Sequence, residues 1–388
     1  MTSEEGASDN ADFTPEEIAR GRALRRAQLP WSLGSRATGL ALLLVLGLTP
    51  AGAGLVGVFG HTWALRVLGG GLGLVVLQQA VSLPFAARLR VVRVRFGLVT
   101  QGWGGWAVDV LRGLLISVPL ALGALYAVYG LAGATRWWWA WAALGAACAA
   151  LVLSWLAPVL LEPIFNRFTP MSPGPLRDAL LALADRDRIP VREVLVADAS
   201  RRTTALNAYV SGFGRTRRIV AYDTLLTTAT AREVELVVAH ELGHVKHRDV
   251  ARGTLLGAAG AAVGVCLLAA LVSRQPLLDL AGADRFADPR SLWLLAAVAT
   301  LGSALTGPLA CAVSRRVERR ADHHALELTA DPAQFVAMQR RLTVANVADP
   351  DPPRALHLLF GTHPTAAQRI AAARSFPTGS PASPGLRT

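Results

Sequence analysis

The chain has 388 residues, of which 52% are hydrophobic and only 17% charged, and its mean hydropathy is +0.38. Charged residues make up about a quarter of an ordinary soluble domain, so this composition excludes a purely soluble protein. The net charge is +12, but no basic run with interleaved aromatic residues predicts a nucleic-acid surface. The three cysteines, Cys148, Cys266 and Cys311, form no C-x-x-C pair, which argues against a disulfide framework or a thiolate metal site.

The first thirty residues carry six acidic side chains and no apolar segment, so they do not form a signal peptide. We expect residues 1–36 to be a cytoplasmic tail, with the first thirty polar and disordered. Nearly all the positive charge of the chain is arginine, because Lys246 is its only lysine. Together with the abundance of Ala, Gly and Leu, this usage suggests a bacterial protein from a GC-rich genome.

Six uncharged stretches follow, each of 20 to 25 residues, about the length that an α-helix needs to cross a bilayer. They lie at residues 37–60, 67–87, 113–135, 137–161, 253–272 and 291–314. Four tryptophans near the start of the fourth stretch are typical of an interfacial aromatic belt. Six such runs argue against the alternative, buried core helices of a soluble protein. The sequence therefore predicts a multi-pass membrane protein with about six spans.

Arginine is unevenly distributed between the loops that join these stretches. Five arginines precede the first span and five lie between the second and third, whereas the loops on the opposite side are poorer in arginine. The positive-inside rule then places the N-terminus in the cytoplasm, and we expect the plasma membrane as the location. The predicted domains are a four-span membrane domain at 37–161, a cytoplasmic domain in two parts at 162–252 and 315–375, a two-span hairpin at 253–314 and a disordered tail at 376–388.

The stretch VAHELGHVKHRD at 238–249 contains the spacing H-E-x-x-H. Thr230 and Glu233 form a capping-box pattern before an apolar run, so we predict a helix over 231–247. On that helix His240 and His244 lie one turn apart and can reach one metal ion, with Glu241 beside them and able to reach a metal-bound water. The alternative is an exposed polar helix face, and the apolar residues that precede the motif argue against it.

A catalytic zinc site needs a third protein ligand and an open position. His247 rises about 10 Å along the helix from His240, which is too far for one ion. The stretch SRRVERRADHHA at 314–325 offers a better candidate, since Glu318 and Asp322 share a helix face. Glu318 could bind zinc, and Asp322 could hold a ligand imidazole through its other nitrogen. For His323 and His324, which point to other sides, we expect a solvated or interfacial face.

Together, HELGH and SRRVERRADHHA resemble the paired motifs of the CAAX prenyl protease type I (sterile-24-like) family, integral-membrane zinc metalloproteases of the gluzincin kind. Three further stretches agree with this family in the same order: EPIFNRFTP at 162–170, LNAYVSGFGRTRRIVAYDTLL at 206–226 and THPTAAQRI at 362–370. The resemblance covers most of 155–375. It departs from the eukaryotic members in having four spans, not five, before the catalytic domain, and a bacterium normally lacks prenylated substrates.

The resemblance implies a mainly α protein in which about six membrane helices carry a gluzincin-type protease domain with a small β-sheet. The implied zinc ligands, one ion per chain, are His240, His244 and Glu318, with Glu241 as catalytic base and Asp322 behind a ligand histidine. Further residues of the site would be Asn207 and Tyr209, on an edge strand that aligns the substrate backbone, and His363 and Arg369, near the reacting carbonyl.

The residues at 191–198 and 217–223 are rich in β-formers, and Gly212 and Gly214 indicate a hairpin turn before the second of these segments. An exposed edge strand can bind an extended peptide through backbone hydrogen bonds. The predicted activity is therefore metal-assisted hydrolysis of a peptide or membrane-protein substrate presented at the lipid bilayer. Either His363 or Arg369 could stabilise the oxyanion. The substrate and the oligomeric state are left open.

Two other functions compete with this interpretation. A non-enzymatic membrane receptor or transporter could hold a structural zinc. A closed site needs four protein ligands, however, and only three are well placed, while the spans lack the charged groups typical of transporters. A membrane protease dedicated to signalling would share the whole site and differ only in its substrate.

Overall fold

A computed structural model describes residues 12–157, 160 and 162–377. These residues form a mainly helical protein with one small mixed sheet. The helices are α1 (Pro15–Gly47), α2 (Pro50–Gly57), α3 (Trp63–Arg95), α4 (Trp103–Ala134), α5 (Trp138–Leu156), α6 (Glu162–Phe165), α7 (Pro175–Arg186), α8 (Asp223–Thr228), α9 (Ala231–Lys246), α10 (Asp249–Val272), α11 (Gln275–Ala281), α12 (Leu292–Thr329), α13 (Pro332–Ala345), α14 (Arg354–Phe360) and α15 (Ala366–Arg374). The strands are β1 (Phe168–Pro170), β2 (Glu193–Ala197), β3 (Ala208–Ser211) and β4 (Arg218–Tyr222).

The chain divides into two compact units. A helical unit contains residues 25–165 and 250–308, and a mixed unit contains the described residues among 1–24, 166–249 and 309–388. The two long helices α1 and α12 each contribute residues to both units. All the candidate site residues belong to the mixed unit.

Six helices in the described part of the chain are long and apolar enough to cross a membrane, which confirms the predicted number. Four of them precede residue 166 and two follow residue 248. The first predicted stretch, 37–60, was wrong as a single span because the chain breaks between α1 and α2 at Leu48 and Thr49. The cause is Pro50, which has no N–H to continue a helix and instead occupies the first turn of α2.

The prediction of a disordered N-terminal segment was wrong for the residues that the structure describes. Helix α1 begins at Pro15 because Thr14 and Glu17 form a capping box: the Thr14 N–H donates to Glu17 (2.9 Å) and the Glu17 N–H donates to the Thr14 hydroxyl (3.2 Å). Arg340 of α13 donates to both carboxylate oxygens of Glu17, at 2.8 and 3.0 Å. This segment is therefore packed on the mixed unit, while residues 1–11 lie outside the described part.

The four strands form a mixed sheet in the order β1-β2-β4-β3. Strand β2 is parallel to β4, and β3 pairs antiparallel with β4 at the edge of the sheet, with Tyr209 opposite Val220. The β3–β4 hairpin turns at Gly212, whose φ of +87° suits glycine and whose added Cβ would lie 2.6 Å from the Thr216 carbonyl oxygen. The predicted strands and their hairpin are confirmed.

The core of the mixed unit packs α9 against β3, α7 and α13. Leu236, Val238 and Leu242 of α9 are fully buried in this core. Burying each such side chain is worth about 1.5–3 kcal/mol, so the apolar face of α9 fixes the rotation of the helix about its axis. His240 and His244, on the last two turns of the same helix, are thereby held in one orientation.

Candidate active site

Helix α9 begins and ends as its sequence predicts. Thr230 accepts a hydrogen bond from the Glu233 N–H, and the Glu233 carboxylate accepts one from the Thr230 N–H at 2.7 Å. The helix ends at Lys246, one residue earlier than expected, with His247 as its C-cap. His240 is buried and its ring packs edge-on against that of His244 at 4.9 Å between centroids. The helix therefore presents both imidazoles from one face.

Helix α12 carries the second motif, SRRVERRADHHA at 314–325, and brings it to the face of α9 that presents the two imidazoles. It passes α9 so closely that a Cβ added to Gly243 would lie 3.2 Å from the backbone of Ala321. That distance is tighter than ordinary van der Waals contact, so a side chain at Gly243 would require the two helices to move apart by a few tenths of an ångström. Glu318 and Asp322, one turn apart on α12, are both buried at this crossing.

His240, His244 and Glu318 meet with their ligand atoms all within 4.8 Å of one another. The Nε2 atom of His240 lies 3.3 Å from Oε2 of Glu318, and the Nε2 atom of His244 lies 3.7 Å from Oε1. Within the described part of the chain, the buried Oε2 atom accepts no hydrogen bond of acceptable geometry. A buried carboxylate that lacks a well-formed hydrogen bond at Oε2 and lies close to the Nε2 atoms of two histidines fits a metal ion, and two histidines with one glutamate are a catalytic zinc set.

Each histidine of the group is held from behind by a carboxylate. The Nδ1 atom of His240 lies 2.8 Å from Asp322, and that of His244 lies 3.0 Å from Asp249. Asp249 is buried and also accepts a hydrogen bond from Arg320. Such partners fix the ring orientation and leave Nε2 of each histidine to bind the ion. The sequence analysis did not identify Asp249. The only local feature that could have indicated this residue is its acidic side chain, five positions after His244.

The charged side chains around His240, His244 and Glu318 favour the binding of a cation. Burial pushes the pKa of His240 down, but the adjacent carboxylates of Asp322 and Glu318 outweigh this and raise it to about 9. Glu241 stands beside the group and supplies none of its three ligands. Burial raises the pKa of the Glu241 carboxyl above its usual value, against the opposing effect of the two histidines. A carboxyl of raised pKa suits the exchange of a proton near neutral pH.

His363 approaches the same group from the loop between α14 and α15. Its Nε2 atom lies 3.4 Å from Oε2 of Glu318, and its Nδ1 atom lies 2.9 Å from the Thr362 hydroxyl. When Thr362 donates to Nδ1, the ring proton is on Nε2 and faces the site. Burial lowers the pKa of His363, although its side chain is 58% exposed, so the neutral ring is favoured. His363 can therefore serve as a neutral hydrogen-bond donor.

Arg369 does not share the contact that His363 makes with Glu318; it binds Asp322. Its Nε atom donates to Asp322 at 2.8 Å, and its Nη2 atom donates to the same carboxylate and lies 3.4 Å from Nδ1 of His240. The side chain is only 14% exposed. Arg369 thus supports the carboxylate that holds His240, which is a different position from that of His363.

Asn207 and Tyr209 lie on or next to the edge strand β3. The carbonyl of Asn207 accepts a hydrogen bond from the Tyr222 N–H at 3.0 Å, and the ring of Tyr209 packs edge-on against that of Tyr222. Their described contacts are thus with the sheet. The structure brings the other seven predicted site residues, from α9, α12 and the region after α14, to the candidate metal centre.

Among the remaining histidines of the motifs, the prediction for His324 was wrong. It is buried, and its Nε2 atom lies 2.8 Å from Asp187, a carboxylate that also accepts a hydrogen bond from Lys246. The partner stands 137 residues away in the sequence, so no local pattern indicated it. His323 is exposed, as expected.

Comparison with known proteins gives two family matches. Residues 172–376 match the model of peptidase family M48, and residues 10–167 match that of the CAAX prenyl protease N-terminal region, described as five membrane helices. The chain has four candidate spans among its described residues in that second range. The two matches together cover the helical and the mixed unit.

Individual proteins of similar sequence or structure agree with these two family matches. A Bacillus subtilis protein named uncharacterized metalloprotease YhfN is 31% identical over 79% of this chain and 72% of its own length. A rice CAAX prenyl protease 1 homolog is 32% identical over 45% of this chain and 42% of its own length. The crystal structure of Ste24p from S. mikatae superposes with a TM-score of 0.79, covering 94% of this chain and 90% of that one, at 22% identity, and so shows the same fold.

Proposed function

The chain belongs to peptidase family M48 and is a membrane metalloprotease, and from this premise we propose a zinc endopeptidase that cleaves peptide or membrane-protein substrates at the cytoplasmic side of the plasma membrane. The observation that carries the proposal is the meeting of His240, His244 and Glu318 around one point, where Oε2 of Glu318 is buried without a well-formed hydrogen bond, 3.3 Å from Nε2 of His240. We assign one zinc ion per chain to these ligands.

The chemistry that zinc supplies when bound by such a set is Lewis acidity, toward water and toward the scissile carbonyl. Glu241 accepts a proton from the attacking water and delivers it to the leaving amine, for which its raised pKa is suited. His363 donates from Nε2 to the oxyanion that develops on the carbonyl. We favour His363 over Arg369 in this role because Arg369 is bound to Asp322 and largely buried.

The edge strand β3 is the proposed docking site for the substrate backbone. An extended peptide that pairs with this strand would be held by main-chain hydrogen bonds, largely independent of its side chains. Asn207 and Tyr209 would align the peptide there. This arrangement suits processing or quality control of many membrane proteins better than recognition of one sequence.

A structural zinc in a receptor or transporter is the weaker alternative. Closed structural sites use four protein ligands, and one group of three is found among the described residues. A partly buried carboxylate without a ligand role, Glu241, also has no function in a structural site. These two features favour hydrolysis.

Metal removal tests the proposal. Purified protein in lipid vesicles should lose peptide cleavage when it is treated with a strong zinc chelator, and stoichiometric zinc, but not magnesium, should restore it. The His240→Ala variant is the control, because it should stay inactive after zinc is added back. Cleavage that survives full metal removal in the wild-type protein would contradict a zinc mechanism.

The orientation of the chain in the membrane, with its N-terminus and candidate site in the cytoplasm, is a second proposal. The arginine-rich loops support it through the positive-inside rule. Residues 12–24 belong to the same compact unit as the candidate site, which is what a common side of the membrane requires. Single cysteines at exposed positions near 30, 100, 200 and 350 should react only after the cytoplasmic side is exposed, and those near 62 and 280 should react from outside. The background replaces Cys148, Cys266 and Cys311 with alanine. Labelling of position 200 from outside would exclude this topology.

A further inference from the structure

Arg315 is a buried arginine at the crossing that forms the candidate site. It lies on α12, almost one turn before Glu318, and only 8% of it is exposed. It forms no salt bridge within the described part of the chain. A buried cation is costly unless hydrogen-bond acceptors replace its water, so its contacts indicate what the residue does.

The hydrogen-bond acceptors of Arg315 are backbone carbonyls at the end of α14. The Nη1 atom of Arg315 donates to the carbonyls of His357 (3.2 Å), Leu358 (3.4 Å) and Gly361 (2.5 Å). The last carbonyls of a helix have few partners within the helix and lie at the negative end of its dipole. The guanidinium therefore caps α14 from outside and fixes the first residue that follows it.

The segment that Arg315 fixes leads directly to His363. Gly361 stands two residues before His363, and a hydrogen bond within the segment joins the Gly361 N–H to the His357 carbonyl at 2.9 Å. His363 then reaches across to within 3.4 Å of Glu318. One helix thus carries Glu318 and, through Arg315, also positions the loop that places His363 over it.

We propose that Arg315 is a positioning residue that sets His363 for its contact with the reacting carbonyl. This inference rests on the proposed function, in which His363 donates to the oxyanion. The hydrogen bonds of Arg315 in the described part of the chain all go to backbone carbonyls, so its effect on the reaction passes through the loop of residues 361–363. Displacing a transition-state donor by about 1 Å can cost about 100-fold in rate without loss of substrate binding.

The test compares peptidase kinetics of Arg315→Gln with those of its exposed neighbour, Arg316→Gln. We expect Arg315→Gln to lower kcat about ten- to hundred-fold, with KM and zinc content little changed. Arg315→Lys should recover part of the loss, since an ammonium also offers several donors to the carbonyls. Arg316→Gln should behave as the wild-type protein.

A double variant separates positioning from a general loss of structure. If Arg315 acts through His363, then Arg315→Gln should cause little further loss in a His363→Ala background. Multiplied losses in the double variant, an unchanged kcat in Arg315→Gln, or a loss of zinc in that variant would overturn the inference. If Arg315→Gln fails to fold, Arg315→Lys alone and with His363→Ala completes the same cycle. An inactive wild-type protein would instead contradict the proposed function.

Discussion

Replacing Glu241 with glutamine is expected to leave zinc bound and to reduce peptide cleavage by about 10²–10⁴-fold, the usual contribution of a general acid–base. Glutamine keeps the size of the side chain but cannot take a proton from water. Because Glu241 supplies none of the three clustered ligand atoms, the metal site should survive its replacement. Turnover and zinc content should be measured on the same preparation.

The matched control for this variant is Glu235→Gln on the same helix. Glu235 pairs with Arg232 at 2.7 Å, away from the candidate site, and its replacement should leave both turnover and zinc unchanged. Loss of zinc from Glu241→Gln would make Glu241 a ligand. Full zinc with undiminished cleavage would assign the base to another residue.

Local sequence patterns were sufficient for much of this fold. The six spans follow from uncharged runs of the right length, and α9 follows from its capping box and apolar face, because these features depend only on neighbours along the chain. The hairpin around Gly212 follows from the turn chemistry of glycine. In each case the local preference and the packed structure agree.

The parts that sequence reasoning missed depend on partners far away in the chain. Asp249 gains its place behind His244 only because a short turn follows α9, and His324 is buried only because Asp187 faces it. Residues 12–24 contain the Thr14–Glu17 capping signal, but their packing depends on Arg340, 323 residues from Glu17. Composition marks such residues as polar and gives no sign of the partner that buries them.

The candidate site was predicted by two different routes. The spacing of His240 and His244 indicates a metal site by geometry alone, since i and i+4 share a helix face. Glu318 lies on another helix, so the residues alone made it a candidate and the family resemblance supported that choice. The role of Arg369 could not be separated from that of His363 until Asp322 was seen to bind the guanidinium.

Glu318→Ala is expected to lose zinc, because removing one of three ligands leaves two imidazoles that cannot hold the ion against a competing chelator. The loss in affinity should be well beyond that of Asp322→Asn, which leaves all three ligands in place but removes the carboxylate that holds His240 and Arg369. That variant should lose about 10- to 100-fold in affinity. Competition with a zinc-binding dye, followed by metal analysis of the purified variants, measures both effects.

The control for the Glu318 variant is Glu327→Ala, which removes an exposed carboxylate from the same helix. It should bind zinc as the wild-type protein does, and it should keep the wild-type melting temperature. Stoichiometric zinc in Glu318→Ala would mean that another residue supplies the third ligand. An equal loss in Asp322→Asn and Glu318→Ala would mean that the two carboxylates act as one unit, with no direct bond from Glu318 to the ion.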